Sequence, residues 1–154
     1  MIARKVFAFS LGGTDEKSSI VFGDYDVGKH SKPGSSICWN PLKEDTYWTI
    51  PISDAKLGDY TFDLDTDLAI VDSGTSYILM PANDFEEFRK VIEPARSCYI
   101  DEGGSGLFTC RCLTDTHVDF PDFQIKLGNS QYYRVPSSSY MTRQNFKCFF
   151  KVVP

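Results

Sequence analysis

The stretch from Leu68 to Pro81 restricts this chain more than any other: Leu-Ala-Ile-Val-Asp72-Ser73-Gly74-Thr75-Ser76-Tyr-Ile-Leu-Met-Pro. Four apolar residues in succession predict a strand buried on both faces, and it ends in a carboxylate followed by a turn that asks for glycine. Desolvation raises the pKa of a buried carboxyl by up to ~3–5 units unless hydrogen-bond donors favour the anion. Ser73, Thr75 and the backbone amides around Gly74 are such donors at suitable separation. Asp72 is therefore a candidate acid/base or ligand-binding group at the mouth of a buried strand. The plainer alternative is that Asp72 caps the turn with its own side chain, as Asp-Ser-Gly sequences do in loops.

The remainder alternates between strand patterns and turn signals. Phe7, Phe9 and Leu11 alternate with Val6, Ala8 and Ser10, which predicts a half-buried strand. Gly12-Gly13-Thr-Asp-Glu-Lys then turns the chain toward a hairpin partner over 18–22. Residues 28–34 carry turn chemistry throughout, and His30 within them reads as a solvated loop residue. Strands are predicted over 36–39 and 47–52, a turn over 54–59, and a strand from Tyr60 to Asp65 with Tyr60, Phe62 and Leu64 on one face. A helix is predicted over 81–92. Phe85, Phe88 and Ile92 share a face, Glu86 and Lys90 are spaced to pair, and Pro94 ends it. Further strands are expected over 106–112, 123–127 and 131–135, the last two joined by Gly128-Asn129. With 14% aromatic residues and 154 residues in all, the sequence predicts a single, mostly β domain with one substantial core.

Several function classes are set aside by composition. A net charge of −5 argues against nucleic acid, whose phosphates need clustered Lys and Arg. No apolar run reaches the ~18 residues of a membrane span. Asp63, Asp65 and Asp67 imitate the opening of a calcium loop, but Leu68 stands where glycine is needed and Gly74 where the bidentate Glu is needed. Cys110, Cys112 and His117 have the wrong spacing for zinc, and His117, between Asp115 and Asp119, reads as a surface loop. No metal or other cofactor is expected. The opening Met1-Ile-Ala-Arg-Lys-Val-Phe leads directly into a strand pattern, and no signal peptide is expected there.

Residues Ala69-Ile-Val-Asp-Ser-Gly-Thr-Ser76 followed by Pro81 resemble the second active-site motif of the pepsin-like (A1) aspartic proteases, the one carried by their C-terminal lobe. Lys5-Val-Phe-Ala-Phe-Ser-Leu11, Ser19-Ile-Val-Phe-Gly23 and Tyr47-Trp48-Thr-Ile50 resemble segments that precede the motif in that family. Phe120-Pro121-Asp-Phe-Gln-Ile125, Gln131-Tyr132 and Ser137 to Met141 resemble segments on its C-terminal side. The resemblance covers nearly the whole chain and one of the family's two lobes. It implies that residues 1–154 are an incomplete C-terminal lobe of the bilobal acid protease fold, without the N-terminal lobe and the last strands. Met1 falls where the family has the middle of its chain.

The resemblance also implies a mechanism. Two carboxyls share one proton, one of them activating water and the other protonating the oxyanion. Asp72 matches the C-lobe carboxyl. Ser73, Gly74, Thr75 and Ser76 match its supporting loop, Thr75 bracing it across to the other lobe, and Tyr47 and Ile70 match substrate-cleft positions. The implied partners are an N-terminal lobe carrying the second Asp and a peptide or protein substrate. Pepsin-like C-lobes carry a disulfide whose far end matches Cys148; its near end is Cys112 or Cys110, which the resemblance leaves open. The favoured set is Cys112–Cys148, with Cys98–Cys110 across the Gly103–Gly106 hairpin and Cys38 free. Such bridges imply the secretory pathway, a lysosome or vacuole, or the extracellular space.

No second Asp-Thr/Ser-Gly occurs in the sequence. The first expectation is therefore an aspartic endopeptidase lobe that is inactive in isolation. Two alternatives are a non-catalytic peptide-binding module derived from the lobe and a homodimer of retropepsin type.

Overall fold

The structure, a computed structural model, describes every residue except 1, 3, 14, 96, 113–119 and 129–130. The expectations for His117 and for the Asn129 half of the Gly128-Asn129 turn fall outside the described residues. Two compact units emerge, Met1–Trp39 and Asn40–Pro154.

In the first unit, strands β1 (Phe7–Ser10) and β2 (Ser19–Phe22) form an antiparallel hairpin with Phe7 opposite Phe22 and Ser10 opposite Ser19. One helical turn, α1 (Val27–His30), follows where the sequence predicts only turn. Its origin is Asp26, whose carboxylate accepts the Lys29 N–H at 2.9 Å as an N-cap. His30 is exposed as expected, with Nδ1 3.0 Å from the Ser10 hydroxyl. Residues 36–39 form no strand, and none of the unit's described residues is buried.

Among the described residues, the second unit holds all the buried apolar ones. Strand β3 runs from Thr49 to Leu57, so Asp54 to Leu57 continue a strand where a turn is predicted. Ala55 and Leu57 point into the core and Asp54 and Lys56 stay partly exposed, a period of two that the charged residues disguise. The turn proper is Gly58-Asp59, with Gly58 at φ 62° and its α-carbon so close to Pro121 that a Cβ would lie 2.9 Å from that ring. After it come β4 (Tyr60–Thr61), β5 (Leu68–Ile70), β6 (Ile78–Leu79) and α2 (Ala82–Ile92). A short 3₁₀ turn, Glu93–Ala95, carries the helix through Pro94. The later elements are β7 (Cys98–Ile100), β8 (Phe108–Arg111), β9 (Phe123–Leu127), β10 (Tyr132–Val135), α3 (Ser137–Tyr140), β11 (Met141–Gln144), β12 (Lys147–Phe150) and β13 (Val152–Val153).

One sheet has the order β10-β9-β3-β4, with β5 also paired to β3. A second has the order β11-β12-β8-β7, and β13 pairs with β6 in parallel. Helix α2 buries Phe85, Phe88 and Ile92, as its spacing predicts. Phe88 meets the rings of Phe85, Phe108, Tyr140 and Phe150 at centroid distances of 5.7–6.5 Å. On its outer face Glu86 pairs with Arg89 at 2.9 Å rather than with Lys90, because Arg89 bridges Glu86 and, at 2.8 Å, Glu93.

Strand β5 departs from expectation. It has β3 on one side only among the described residues, and Ile70 and Val71 are more than half exposed, so it is not buried on both faces. Its apolar run reads like a central strand, but a strand with one neighbour keeps one flank open.

Candidate active site

The stretch carrying Asp72 is anchored on both sides. Upstream, β5 pairs antiparallel with β3, with Thr49 opposite Ile70, and Val71 N–H extends the ladder to Trp48 O at 3.0 Å. Downstream, β6 pairs with β13, and Ile78 N–H and Met80 N–H reach Lys151 O at 2.8 Å and Val153 O at 2.9 Å. Residues 71–77 form the loop between these anchors.

Within that loop the Gly74 N–H donates to Asp72 Oδ1 at 2.8 Å, and the Thr75 hydroxyl donates to Asp72 Oδ2. First the Thr75 hydroxyl and then the Gly74 amide hold the Asp72 carboxyl below its ordinary range, against a small opposing effect of burial. The side chain is exposed, so its pKa is set by donors rather than by the desolvation that a buried strand would impose. Gly74 sits close against the carboxylate it serves. A Cβ there would lie 3.2 Å from Asp72 Oδ1, while its φ is not in the left-handed region. Thr75 directs its hydroxyl proton to Asp72, within its own loop.

Of the donors put forward from sequence, Thr75 and Gly74 reach the carboxylate and Ser73 does not. Ser73 and Ser76 are exposed. Asp72 lies on the wall of a cavity of about 540 Å³ lined from β3, β5, β6, β9 and the start of α2. Ile70 lines it too; Tyr47 is exposed and is not among its lining residues. The sequence reading missed Asp84, a buried carboxylate on the same wall that accepts the Asp65 N–H at 3.1 Å. Burial raises its pKa most, the Asp65 amide opposes this, and the charges of Asp65, Glu87 and Asp63 add to the rise. Its signal was an Asp in the first turn of a helix whose hydrophobic stripe faces inward.

Two disulfides, Cys98–Cys110 and Cys112–Cys148, join the strands of the second sheet, and Cys38 is free and exposed. With both in disulfides, neither Cys110 nor Cys112 offers a thiolate to zinc. Among the described residues no group of three or more His, Cys, Asp or Glu is placed to hold a metal ion. No helix among them is long and apolar enough to cross a membrane.

The chain is similar to several known proteins. Plasmepsin VIII of Plasmodium berghei is 32% identical over 90 residues, 54% of this chain and 24% of its own length. Gastricsin of Rattus norvegicus is 28% identical over 150 residues, 94% of this chain and 36% of its own. Pepsin A of Gallus gallus is 29% identical over 150 residues, with 96% and 36% covered. The chain thus spans about a third or less of the length of these curated relatives. The family model for eukaryotic aspartyl protease matches residues 1–154, and with that match across its whole length the chain belongs to this family.

Proposed function

We propose that this chain is the C-terminal lobe of a pepsin-like aspartic endopeptidase and that Asp72 is one of its two reacting carboxylates. The observation that carries this reading is a carboxylate held by the Gly74 amide and the Thr75 hydroxyl on the wall of a cavity, between two anchored strands. These donors keep Asp72 anionic, the form that accepts a proton from water as it attacks a peptide carbonyl. The second carboxyl, on an N-terminal lobe, holds the proton that the developing oxyanion receives, because like charges so close do not both ionise. Gly74 leaves its backbone accessible to an extended peptide, and Ile70 is a contact for an apolar substrate side chain. Two disulfides favour an oxidising compartment: secretory, lysosomal or vacuolar, or extracellular.

The test joins residues 1–154 to a lobe bearing the second aspartate and measures peptide cleavage at acid pH. Pepstatin-sensitive turnover is expected, and Asp72→Asn should abolish it while leaving the fold intact by circular dichroism. Full turnover by Asp72→Asn would overturn the assignment. Pepstatin-sensitive turnover by the 154-residue chain alone would overturn the two-lobe reading in favour of a homodimer.

A further inference from the structure

Strands β7, β8 and β12 are consecutive neighbours in one antiparallel sheet, and their register sets Cys98 opposite Cys110 and Cys110 opposite Cys148. Opposed residues on adjacent strands project from the same face, so three cysteines form a row across the sheet. Cys112, two residues beyond Cys110, projects from that face as well. The present bridges join Cys98 to Cys110 and Cys112 to Cys148. The second of these runs diagonally, since Cys112 N–H bonds to Phe146 O at 2.8 Å while Cys148 lies opposite Cys110. Directly opposed Cβ atoms stand about 4.5–5.5 Å apart, a small adjustment from the roughly 3.5–4.5 Å of a disulfide. Cys110, Cys112 and Cys148 are buried, and Cys98 is the half-buried member that a thiol in solution can meet.

We propose that these four cysteines form a thiol-triggered exchange relay in which the bridge to Cys148 migrates from Cys112 to Cys110. The trigger is a low-molecular-weight thiol of the glutathione class. Its thiolate attacks Cys98 Sγ, forming a mixed disulfide there and releasing the Cys110 thiolate. Cys110 then attacks Cys148 Sγ, forming Cys110–Cys148 and releasing Cys112, which takes up the proton that the external thiol lost. Each step breaks one S–S bond and makes one, so no oxidant or further reductant is consumed. The second attack is intramolecular between opposed positions of one sheet, which gives it the advantage of a preset geometry. The outcome is a switch between two cross-linked forms of the β8–β12 pair, set by the thiol level of the surroundings.

Cleavage after Arg111 separates Cys110 from Cys112, so tryptic mapping distinguishes the two forms. The full chain is incubated with reduced glutathione, free thiols are alkylated at acid pH, and linked peptides are read by mass spectrometry. The expected result is Cys110 linked to Cys148, glutathione on Cys98 and alkylated Cys112. Opening of Cys98–Cys110 with Cys112–Cys148 retained as the sole link, or full reduction without the new pair, overturns the proposal. Cys98→Ser releases Cys110 from the outset and should yield both links to Cys148 without added thiol. A Cys98→Ser chain carrying only Cys112–Cys148 overturns it equally.

Discussion

Phe88, Phe108 and Phe150 are at most 1% exposed, whereas Ile70, Val71, Tyr77 and Leu79, apolar residues of the same unit, leave 45–64% of their surface in water. The first group lies between α2 and a sheet cross-linked by two disulfides, where every ring finds another. The second group surrounds Asp72, where β5 has one described neighbour and β6 is a two-residue strand. Equal hydrophobicity in sequence thus leads to opposite burial, decided by whether the chain itself supplies a second layer. The proposed two-lobe enzyme would use these exposed apolar residues as the surface that its second lobe covers.

The largest expected effect comes from removing a side chain of the closed region. Phe88→Ala should destabilise the chain by about 3–5 kcal/mol, read by denaturant unfolding, because the surrounding rings leave a cavity. Leu79→Ala, at 64% exposure, should change stability by no more than about 0.5 kcal/mol in the isolated chain. Equal losses at the two positions would abolish the distinction between the regions.

A smaller effect is pH-dependent. Asp84 binds its proton more tightly in the folded than in the unfolded chain, since its folded pKa is raised. Its contribution to stability is therefore complete below the ordinary carboxyl range and is lost as pH climbs through the folded value. Asp84→Asn retains an oxygen for the Asp65 amide and should flatten that decline in melting temperature. Parallel profiles for the two proteins would remove Asp84 as its source.

The smallest effect is confined to the open region. Thr75→Val removes the stronger of the two donors to Asp72 and should move the carboxyl upward toward its ordinary pKa, measured by carbon NMR titration. Asp72 has the opposite sign to Asp84. Its lowered pKa contributes stability above the unfolded value, and that contribution is lost as pH falls through the folded one.

Helix α2 was legible because Phe85, Phe88 and Ile92 recur on the side it buries. The first hairpin was legible from its Gly12-Gly13 turn alone, since Phe7 and Phe9 on β1 are exposed rather than turned to a core. Strand β3 was half hidden, since Asp54 and Lys56 on its outer face imitate a polar turn around Ala55 and Leu57. The β11–β12 hairpin was missed because its two-residue turn is Asn145-Phe146, with φ of 49° and 63°. Asn tolerates that region, but phenylalanine at the second position is not the glycine that announces such a turn. At the candidate site, the motif identified Asp72 and its Thr75 and Gly74 donors. It gave no sign of Asp84, whose proximity depends on how the loop before β5 meets α2.

The parallel pairing of β6 with β13 has a consequence for biosynthesis. Residues 78–79, just after the Asp72 loop, have no strand to join until residues 152–153 leave the ribosome. The Asp72 loop is therefore secured only after the aromatic centre around Phe88 has gained most of its members, so the segment proposed to carry the chemistry is among the last to be fixed as the chain is made.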